Sequence, residues 1–298
     1  MNRLTRYIQL AACVLAAVLS IEAREGDAGQ RYAVVGMVLK TDPAARTLIA
    51  SIEKVPGFME AMTMPFEVRD ATELASLAPG AIVEFTLVVD GGSSWAEGIR
   101  VRRYESVEQD PQTARRLSLL KRIAGGHTAN PAAPGTLVPD FTLTDQRGRR
   151  VSLSQLRGSV VAINFVYTAC QLPDFCLRTV NYFDALQQRF RPRLGRDLAL
   201  LTITFDPARD RPEVLAHYSA KWKADPDAWR FLTGTADEIR RVLELFGVSA
   251  FPDDGLVDHS LHTVIISRDG RLVANIEGNQ YSSTQLVDLM SSVLDRPR

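Results

Sequence analysis

This sequence of 298 residues is poor in cysteine, has no excess of either charge and carries no long apolar run outside its first segment. Its three cysteines are too few to staple a small domain, and a chain of this length buries enough apolar surface without them. Lysine plus arginine and aspartate plus glutamate number 35 each, and no long basic run occurs, which argues against binding driven by nucleic-acid phosphates. The hydrophobic content of 46% is that of an ordinary globular protein with room for about two domains.

The first 23 residues indicate a targeting segment. Arg3 and Arg6 precede an apolar run from Tyr7 to Ile21, and the small residue Ala23 follows. This order is typical of a secretory signal peptide, with an uncleaved membrane anchor as the alternative. We therefore expect an exported protein, located in the periplasm or on the outer face of the inner membrane. Cys13 lies within the segment, where we interpret it as an apolar filler rather than a lipidation site.

Residues 31–104 predict a small all-β barrel. Short runs of β-branched and apolar residues are separated by turn signals such as Asp90-Gly91-Gly92. The expected strands cover 32–39, 47–52, 64–68, 82–89 and 97–101. Residues 105–137 then predict a helix, from Asp110 to the pair Gly125-Gly126, and a linker.

From residue 138 to residue 298, apolar strands alternate with helical patterns. Val160–Tyr167 and Leu198–Phe205 are nearly continuous apolar runs, as expected for strands buried on both faces. Further elements are predicted as helices at 178–190, 212–223, 235–246 and 284–294, and as strands at 141–144, 151–153, 230–232, 262–266 and 272–277. This pattern predicts an α/β domain with a mixed sheet covered on both faces.

Cys170 and Cys176 flank a loop between the most apolar strand and the helix that begins near Arg178. Side chains six positions apart in a regular helix would lie about 240° apart, and Pro173 opposes a continuous helix, so the segment must form a loop that can bring the two sulfurs together. A thiol at a helix N-terminus is expected to have a lowered pKa, and thiolate is both the nucleophile and the metal-binding form. A merely structural disulfide is the alternative, although so short a loop contributes little by entropy.

The candidate third ligand is His259, which precedes the strand expected near the cysteine loop. Two thiolates and an imidazole suit Cu(I), and also Cu(II) or Zn(II). His262 would point to the opposite face of the same strand, so we do not expect both to bind. Ordinary histidines are expected at positions 127 and 217, and cap or turn roles for Asp206 and Asp210.

Residues from about Val138 to Leu294 resemble the Sco/SenC family of copper-binding proteins with a thioredoxin fold. The resemblance is carried by the stretches 138–145, 165–170, 204–212, 229–234, 246–248 and 257–259. It implies that Cys170, Cys176 and His259 bind copper and that the protein assists assembly of the dinuclear copper centre of cytochrome c oxidase. The commoner family spacing places three residues between the cysteines, whereas this chain has five.

Three methionines, Met59, Met62 and Met64, lie close together in the predicted barrel. Thioethers are soft ligands that select Cu(I) or Ag(I), whereas filling the core is the alternative role of such residues. The phrase from Pro56 to Phe66 is similar to the CusF-like periplasmic copper-binding domain, which implies a copper site at these methionines. That family also has an upstream histidine, which is absent here, and Met59 stands near the position of its tryptophan.

Together these features predict an exported copper metallochaperone with a copper-receiving client, such as an oxidase subunit, and a thiol reductant or redox partner. The alternative is a thiol–disulfide reductase in which one of Cys170 and Cys176 attacks a client disulfide and the other resolves it. A peroxidase is a third, weaker reading. The N-terminal segment would serve as the membrane tether if it is not cleaved.

Overall fold

The computed structural model describes residues 29–102, 131–170, 173–253 and 256–296. The predicted targeting segment with Cys13, the predicted helix after Asp110 and His127 lie outside the described residues. Within the described residues, no helix is both long enough and apolar enough to cross a membrane.

The N-terminal domain is a five-stranded antiparallel sheet. Its strand order is β3-β2-β1-β4-β5, and a bridge between Val68 and Ala96 joins the two ends into a barrel. The β4–β5 turn is made by Gly91 and Gly92, whose φ angles of 52° and 96° lie in the region that glycine tolerates best. The strands are β1 Gln30–Asp42, β2 Thr47–Ile52, β3 Met62–Glu67, β4 Ile82–Asp90 and β5 Ser93–Val101.

The barrel interior is filled by alternate residues of these strands. Leu48, Phe66 and Phe85 are buried at its centre, and the Phe66 and Phe85 rings meet edge to face with centroids 5.0 Å apart. The period-two alternation of apolar residues that predicted the strands is therefore the pattern that fills the barrel. This confirms the expected all-β domain.

The C-terminal domain is built on a seven-stranded mixed sheet of order β14-β13-β8-β9-β10-β6-β7. β8, β9 and β10 are parallel to one another, and β13 is antiparallel to β8. Every residue of β8 and β9 is buried, which explains their continuous apolar runs. The strands are β6 Thr142–Asp145, β7 Arg150–Ser152, β8 Val160–Val166, β9 Leu198–Thr204, β10 Trp229–Thr233, β13 His262–Ile266 and β14 Leu272–Glu277.

In the described part of the chain, four α-helices accompany this sheet: α1 Arg178–Arg189, α2 Pro212–Ala220, α3 Ala236–Phe246 and α4 Ser283–Leu294. α3 shows why they begin and end where the sequence indicates. The Thr235 hydroxyl accepts a hydrogen bond from the Glu238 amide, the Glu238 carboxylate accepts one from the Thr235 amide, and Gly247 ends the helix in the left-handed conformation. The β8–α1–β9 unit and the antiparallel β13–β14 pair give the thioredoxin-like α/β fold that the resemblance implied.

A small two-stranded sheet, β11 Ala250–Asp253 and β12 Leu256–His259, was not predicted. It is antiparallel, with Ala250 opposite His259. Proline and aspartate within 250–254 resemble a loop in the sequence, which is why these strands were missed. The hairpin matters because it carries His259 at its end.

The barrel packs against the C-terminal domain. Met37 and Leu39 of β1 are buried in the same apolar cluster as the thioredoxin-like core. Asp288 of α4 accepts hydrogen bonds of 2.7 Å from the hydroxyls of both Ser51 and Thr63, and the Gln285 amide donates to the Ser51 carbonyl oxygen at 3.1 Å. β2 and β3 of the barrel are thus held against α4.

Candidate metal centre

The cysteine loop follows the carboxyl end of β8. Cys170 and Cys176 are free thiols and both are buried. Between them, Pro173–Leu177 forms an irregular turn in which Phe175 has non-helical dihedral angles of −117° and −108°, and α1 starts only at Arg178. This confirms the loop that Pro173 and the cysteine spacing predicted.

His259 reaches the cysteine loop from the end of β12. Its Nε2 atom lies 3.7 Å from Sγ of Cys176, although the two residues are 83 positions apart in sequence. Its Nδ1 atom lies 3.2 Å from the carbonyl oxygen of Ser260, which can only accept a hydrogen bond. The proton therefore belongs on Nδ1, and the lone pair of Nε2 faces the sulfur, as in a metal-binding histidine oriented by a carbonyl group.

The separation of the two atoms suits two ligands of one ion. Bonds of about 2.3 Å to sulfur and about 2.0 Å to nitrogen, as at zinc, place the ligand atoms about 3.7 Å apart when they meet at 120°. The Cys170 side chain hydrogen-bonds to Cys176, so contacts run from Cys170 to Cys176 to His259. Across the described residues, however, no three His, Cys, Asp or Glu side chains form a group that could hold an ion as arranged. A small rearrangement is therefore needed for all three donors to close on one ion.

Two aromatic rings enclose the His259 imidazole. Phe205, which follows β9, is tilted against it with centroids 4.4 Å apart, and Tyr167, which follows β8, meets it edge to face at 5.9 Å. Burial and the nearby charge of Cys170 raise the pKa of Tyr167 to about 12, so its hydroxyl stays protonated at neutral pH. The sequence did not predict that Tyr167 and Phe205 enclose the imidazole, although each ring directly follows the end of a strand, where ligands bind in sheets of this kind.

The predicted lowering of the thiol pKa is wrong for Cys176. Its pKa is raised well above the ordinary value, first because its thiol hydrogen-bonds to Cys170 and then because burial disfavours the charged form. The expected dipole effect required Cys176 to sit at the start of a regular helix. The irregular turn before α1 removes that condition.

Asp210 is also not the cap or turn residue that the sequence suggested. It is fully buried, and the N-cap of α2 is Arg211. Its carboxylate accepts hydrogen bonds from the Thr168 amide at 3.0 Å, from the Thr168 hydroxyl and from the Thr204 hydroxyl at 2.5 Å. Asp206 does act in a turn, because its carbonyl oxygen accepts from the Asp210 amide.

The other histidines within the described residues have different surroundings. Nδ1 of His262, the first residue of β13, lies 2.8 Å from the side-chain oxygen of Asn275. His217 is exposed on α2. Neither takes part in the contacts between His259 and the cysteines.

The clustered methionines Met59, Met62 and Met64 of the barrel lie on or next to β3. Met62 and Met64 alternate on this strand, and Met62 is 50% exposed. Met64 and Met59 are half-buried and pack on the barrel core. Met59 closes a tight turn in which its amide and carbonyl groups both bond to Val55.

No histidine or cysteine occurs between residues 31 and 102 to complete a site at these methionines. Ile52 and Ala50 are the cross-strand partners of Met62 and Met64, and both are buried and apolar. Ser51 pairs with Thr63 and donates to Asp288. Any ion at Met59, Met62 and Met64 would therefore have thioethers, and neither thiolate nor imidazole, as its soft side-chain ligands from this domain.

The chain is similar in sequence to known proteins. The chain is 26% identical over 163 residues to the SCO1 protein homolog of Bacillus subtilis, covering 52% of this chain and 80% of the relative. It is 31% identical over 142 residues to an SCO2-like protein of Rickettsia typhi, covering 45% of this chain and 66% of the relative.

Two solved structures are similar to the C-terminal domain. Yeast Sco1 with copper bound has a TM-score of 0.47 at 28% identity, with coverage of 55% of this chain and 91% of that chain. Bradyrhizobium japonicum ScoI with copper bound has a TM-score of 0.45 at 28% identity, with coverage of 53% and 99% respectively.

Two family models match the chain in sequence. Residues 129–295 match the model SCO1/SenC, and residues 31–100 match the model of the copper binding periplasmic protein CusF. The soft sulfur and imidazole donors at Cys170, Cys176 and His259 are of the kind that suit copper. The chain belongs to the SCO1/SenC family and carries a CusF-like domain at its N-terminal side.

Proposed function

We propose that this protein is an exported copper chaperone that binds copper through Cys170, Cys176 and His259 and passes it to a copper centre such as that of cytochrome c oxidase. The observation that carries the proposal is the 3.7 Å approach of His259 Nε2 to Cys176 Sγ beside a second free thiol. Two soft thiolates favour Cu(I), and the imidazole also accommodates Cu(II). A site that is buried yet lies beside an irregular turn suits an ion that must be both held and released.

The barrel is proposed as a second copper-binding element on the same chain. Its thioethers Met59, Met62 and Met64 are soft but uncharged, so they hold Cu(I) more weakly than thiolates do. Transfer of copper from the barrel methionines to the cysteines would therefore be favourable in free energy. The exposure of Met62 supports entry of copper at that end.

Cu(I) titration of the purified protein under reducing conditions tests the chaperone. We expect two bound copper ions per wild-type chain and one after replacement of both cysteines (Cys170→Ser and Cys176→Ser). Circular dichroism of the double variant checks that it is folded. If that variant binds as much copper as the wild type, the proposed site at the cysteines is wrong.

A second candidate function, thiol–disulfide reduction, is favoured by the hydrogen bond between the two free thiols. The Cys170 thiolate would attack one sulfur of a client disulfide, forming a mixed disulfide and releasing one client thiolate. The Cys176 thiolate would then attack the Cys170 sulfur, releasing the second client thiolate and leaving a Cys170–Cys176 disulfide. Two electrons pass to the client, and an external thiol reductant must restore the dithiol.

The reduction potential of the Cys170–Cys176 pair distinguishes the two functions. A potential well below that of the client disulfide supports the reductase, whereas a disulfide that does not exchange with thiols argues against it. Consumption of peroxide by the dithiol form would instead support a peroxidase. Fractionation of cells that express the full-length chain tests the proposed export and membrane tether.

A further inference from the structure

We propose that Asp210 is a positioning residue that fixes the distance between Cys170 and His259, and thereby the geometry of the copper site. The inference rests on the proposed copper function. It starts from a fully buried carboxylate that sequence analysis placed in a turn, and whose described hydrogen-bond donors are all uncharged. Burying a carboxylate is unfavourable unless several donors satisfy it. Such a group therefore indicates that the segments which donate to it must be held in fixed positions.

The carboxylate joins the ends of two neighbouring parallel strands. Thr168 lies two residues beyond the end of β8, and Thr204 is the last residue of β9. Asp210 holds Thr168 by both its amide and its hydroxyl, and it holds Thr204 by its hydroxyl. The Thr204 hydroxyl also accepts from the Asp206 amide at 3.0 Å, which ties the loop after β9 to the same point.

The residues next to these threonines form the candidate site. Tyr167 precedes Thr168 and Phe205 follows Thr204, and these are the two rings that enclose the His259 imidazole. Cys170 comes two residues after Thr168, and its amide bonds back to the Tyr167 carbonyl oxygen at 3.2 Å. The Asp210 carboxylate therefore sets the position of both rings that enclose the imidazole, and of the first half of the cysteine loop.

The second half of the loop is also tied to α1. Pro173–Leu177 is the irregular turn, and the Cys176 carbonyl oxygen accepts from the Thr179 hydroxyl at 2.9 Å, which ties Cys176 to α1. Asp210 thus positions Cys170 relative to the sheet, and the bond to Thr179 positions Cys176 relative to α1. Cys170, Cys176 and His259 can bind one ion only if these two positions match. Asp210 sets the position of Cys170.

The test compares Asp210→Asn with Asp206→Asn. Both variants lose one carboxylate from the loop after β9, but the Asp206 side chain pairs with Arg209 at 3.6 Å and accepts no described hydrogen bond from Thr168. Outer-shell partners of metal ligands contribute about 10-fold to 100-fold to affinity. We expect Asp210→Asn to weaken Cu(I) binding at the cysteines by about 10-fold or more. We also expect it to change the Cu(II) electron paramagnetic resonance spectrum, and Asp206→Asn to change neither.

Milder variants guard against a simple loss of folding. Thr168→Val and Thr204→Val each remove one hydroxyl that donates to Asp210 while preserving side-chain volume, and each is expected to shift the Cu(II) spectrum in the direction seen for Asp210→Asn. A wild-type spectrum and affinity in Asp210→Asn, or in both valine variants if Asp210→Asn does not fold, would overturn the assignment.

Hydrogen exchange of the metal-free protein separates this inference from the proposed function. If the wild type binds no copper at the cysteines, the chaperone proposal fails, whereas the exchange rate of the Thr168 amide still reports on Asp210. Faster exchange in Asp210→Asn by about 10-fold relative to Asp206→Asn corresponds to the loss of one hydrogen bond and supports the positioning role. Equal rates in the two variants would refute it.

Discussion

The imidazole Nε2 of His259 and the thiol sulfur of Cys176 lie 3.7 Å apart, with the imidazole orientation set by the neighbouring carbonyl group. Replacing His259 by alanine should raise the dissociation constant for copper by about 100-fold or more, because a direct ligand contributes at least as much as an outer-shell partner. His262→Ala is the matched control, since that side chain contacts Asn275. Competition with a chromophoric Cu(I) chelator measures both. Equal losses in the two variants would show that His259 is not a ligand.

The two thiols should differ in reactivity in the metal-free protein. The raised pKa of Cys176 keeps it protonated at neutral pH, so its thiolate appears only as the pH rises above the ordinary thiol range. We expect iodoacetamide to modify Cys170 first between pH 7 and pH 8.

Cys170→Ala should then make Cys176 more reactive, because it removes the hydrogen bond that is the largest cause of the raised pKa of Cys176. Mass spectrometry of the modified peptides reads out both steps. The prediction fails if Cys176 reacts as fast as Cys170 in the wild type, or if Cys170→Ala leaves Cys176 as slow as before.

The barrel site should bind copper independently of pH. Thioethers carry no dissociable proton, whereas thiolates and imidazole lose copper as they are protonated. In a chain that lacks both cysteines, one Ag(I) or Cu(I) should remain bound between about pH 5 and pH 8 and should be lost in Met62→Leu/Met64→Leu. Met37→Leu is the control, because Met37 is buried against the C-terminal domain. Retention of the ion in the double methionine variant would contradict a thioether site.

Glu238 should stabilise the fold in a pH-dependent way. Its hydrogen bond and ion pair with Arg150 lower its pKa from 4.5 to about 2. A lowered folded-state pKa stabilises the protein above the unfolded value, and this stabilisation is lost as the pH falls from about 5 toward about 2. Glu238→Gln should reduce the free energy of unfolding by about 1–2 kcal/mol at pH 7, since a charge-assisted bond at a half-exposed position is lost.

Urea unfolding at pH 7 and at pH 3 measures this difference, which should shrink at the lower pH. Glu244→Gln, on the same helix, removes an exposed pair with Arg240 and should have little effect. A difference between wild type and Glu238→Gln that grew on acidification would contradict the assigned sign.

Apart from β11 and β12, the strands and helices described here were predictable because their cause is local. Alternation in β2 and continuous burial in β8 each leave a direct mark in the sequence, as do the proline that opens α2 and the glycine that ends α3. The role of Asp210 was not predictable, since a short acidic residue before a helix resembles a cap until its burial is known. The approach of His259 to Cys176 was expected from the strand that follows His259 and from the family resemblance, whereas the β11–β12 hairpin that carries His259 was not.

Gly80 has a φ of 86°, and a methyl group there would stand 2.9 Å from side-chain atoms of Ala274 and Ile276 on β14. β14 lies at one end of the seven-stranded sheet, and its first residue, Leu272, also bonds through its amide to the Thr136 carbonyl oxygen. The backbone at Gly80 therefore lies directly against the side chains of this last strand, and any residue larger than glycine there would force the barrel away from the thioredoxin-like sheet.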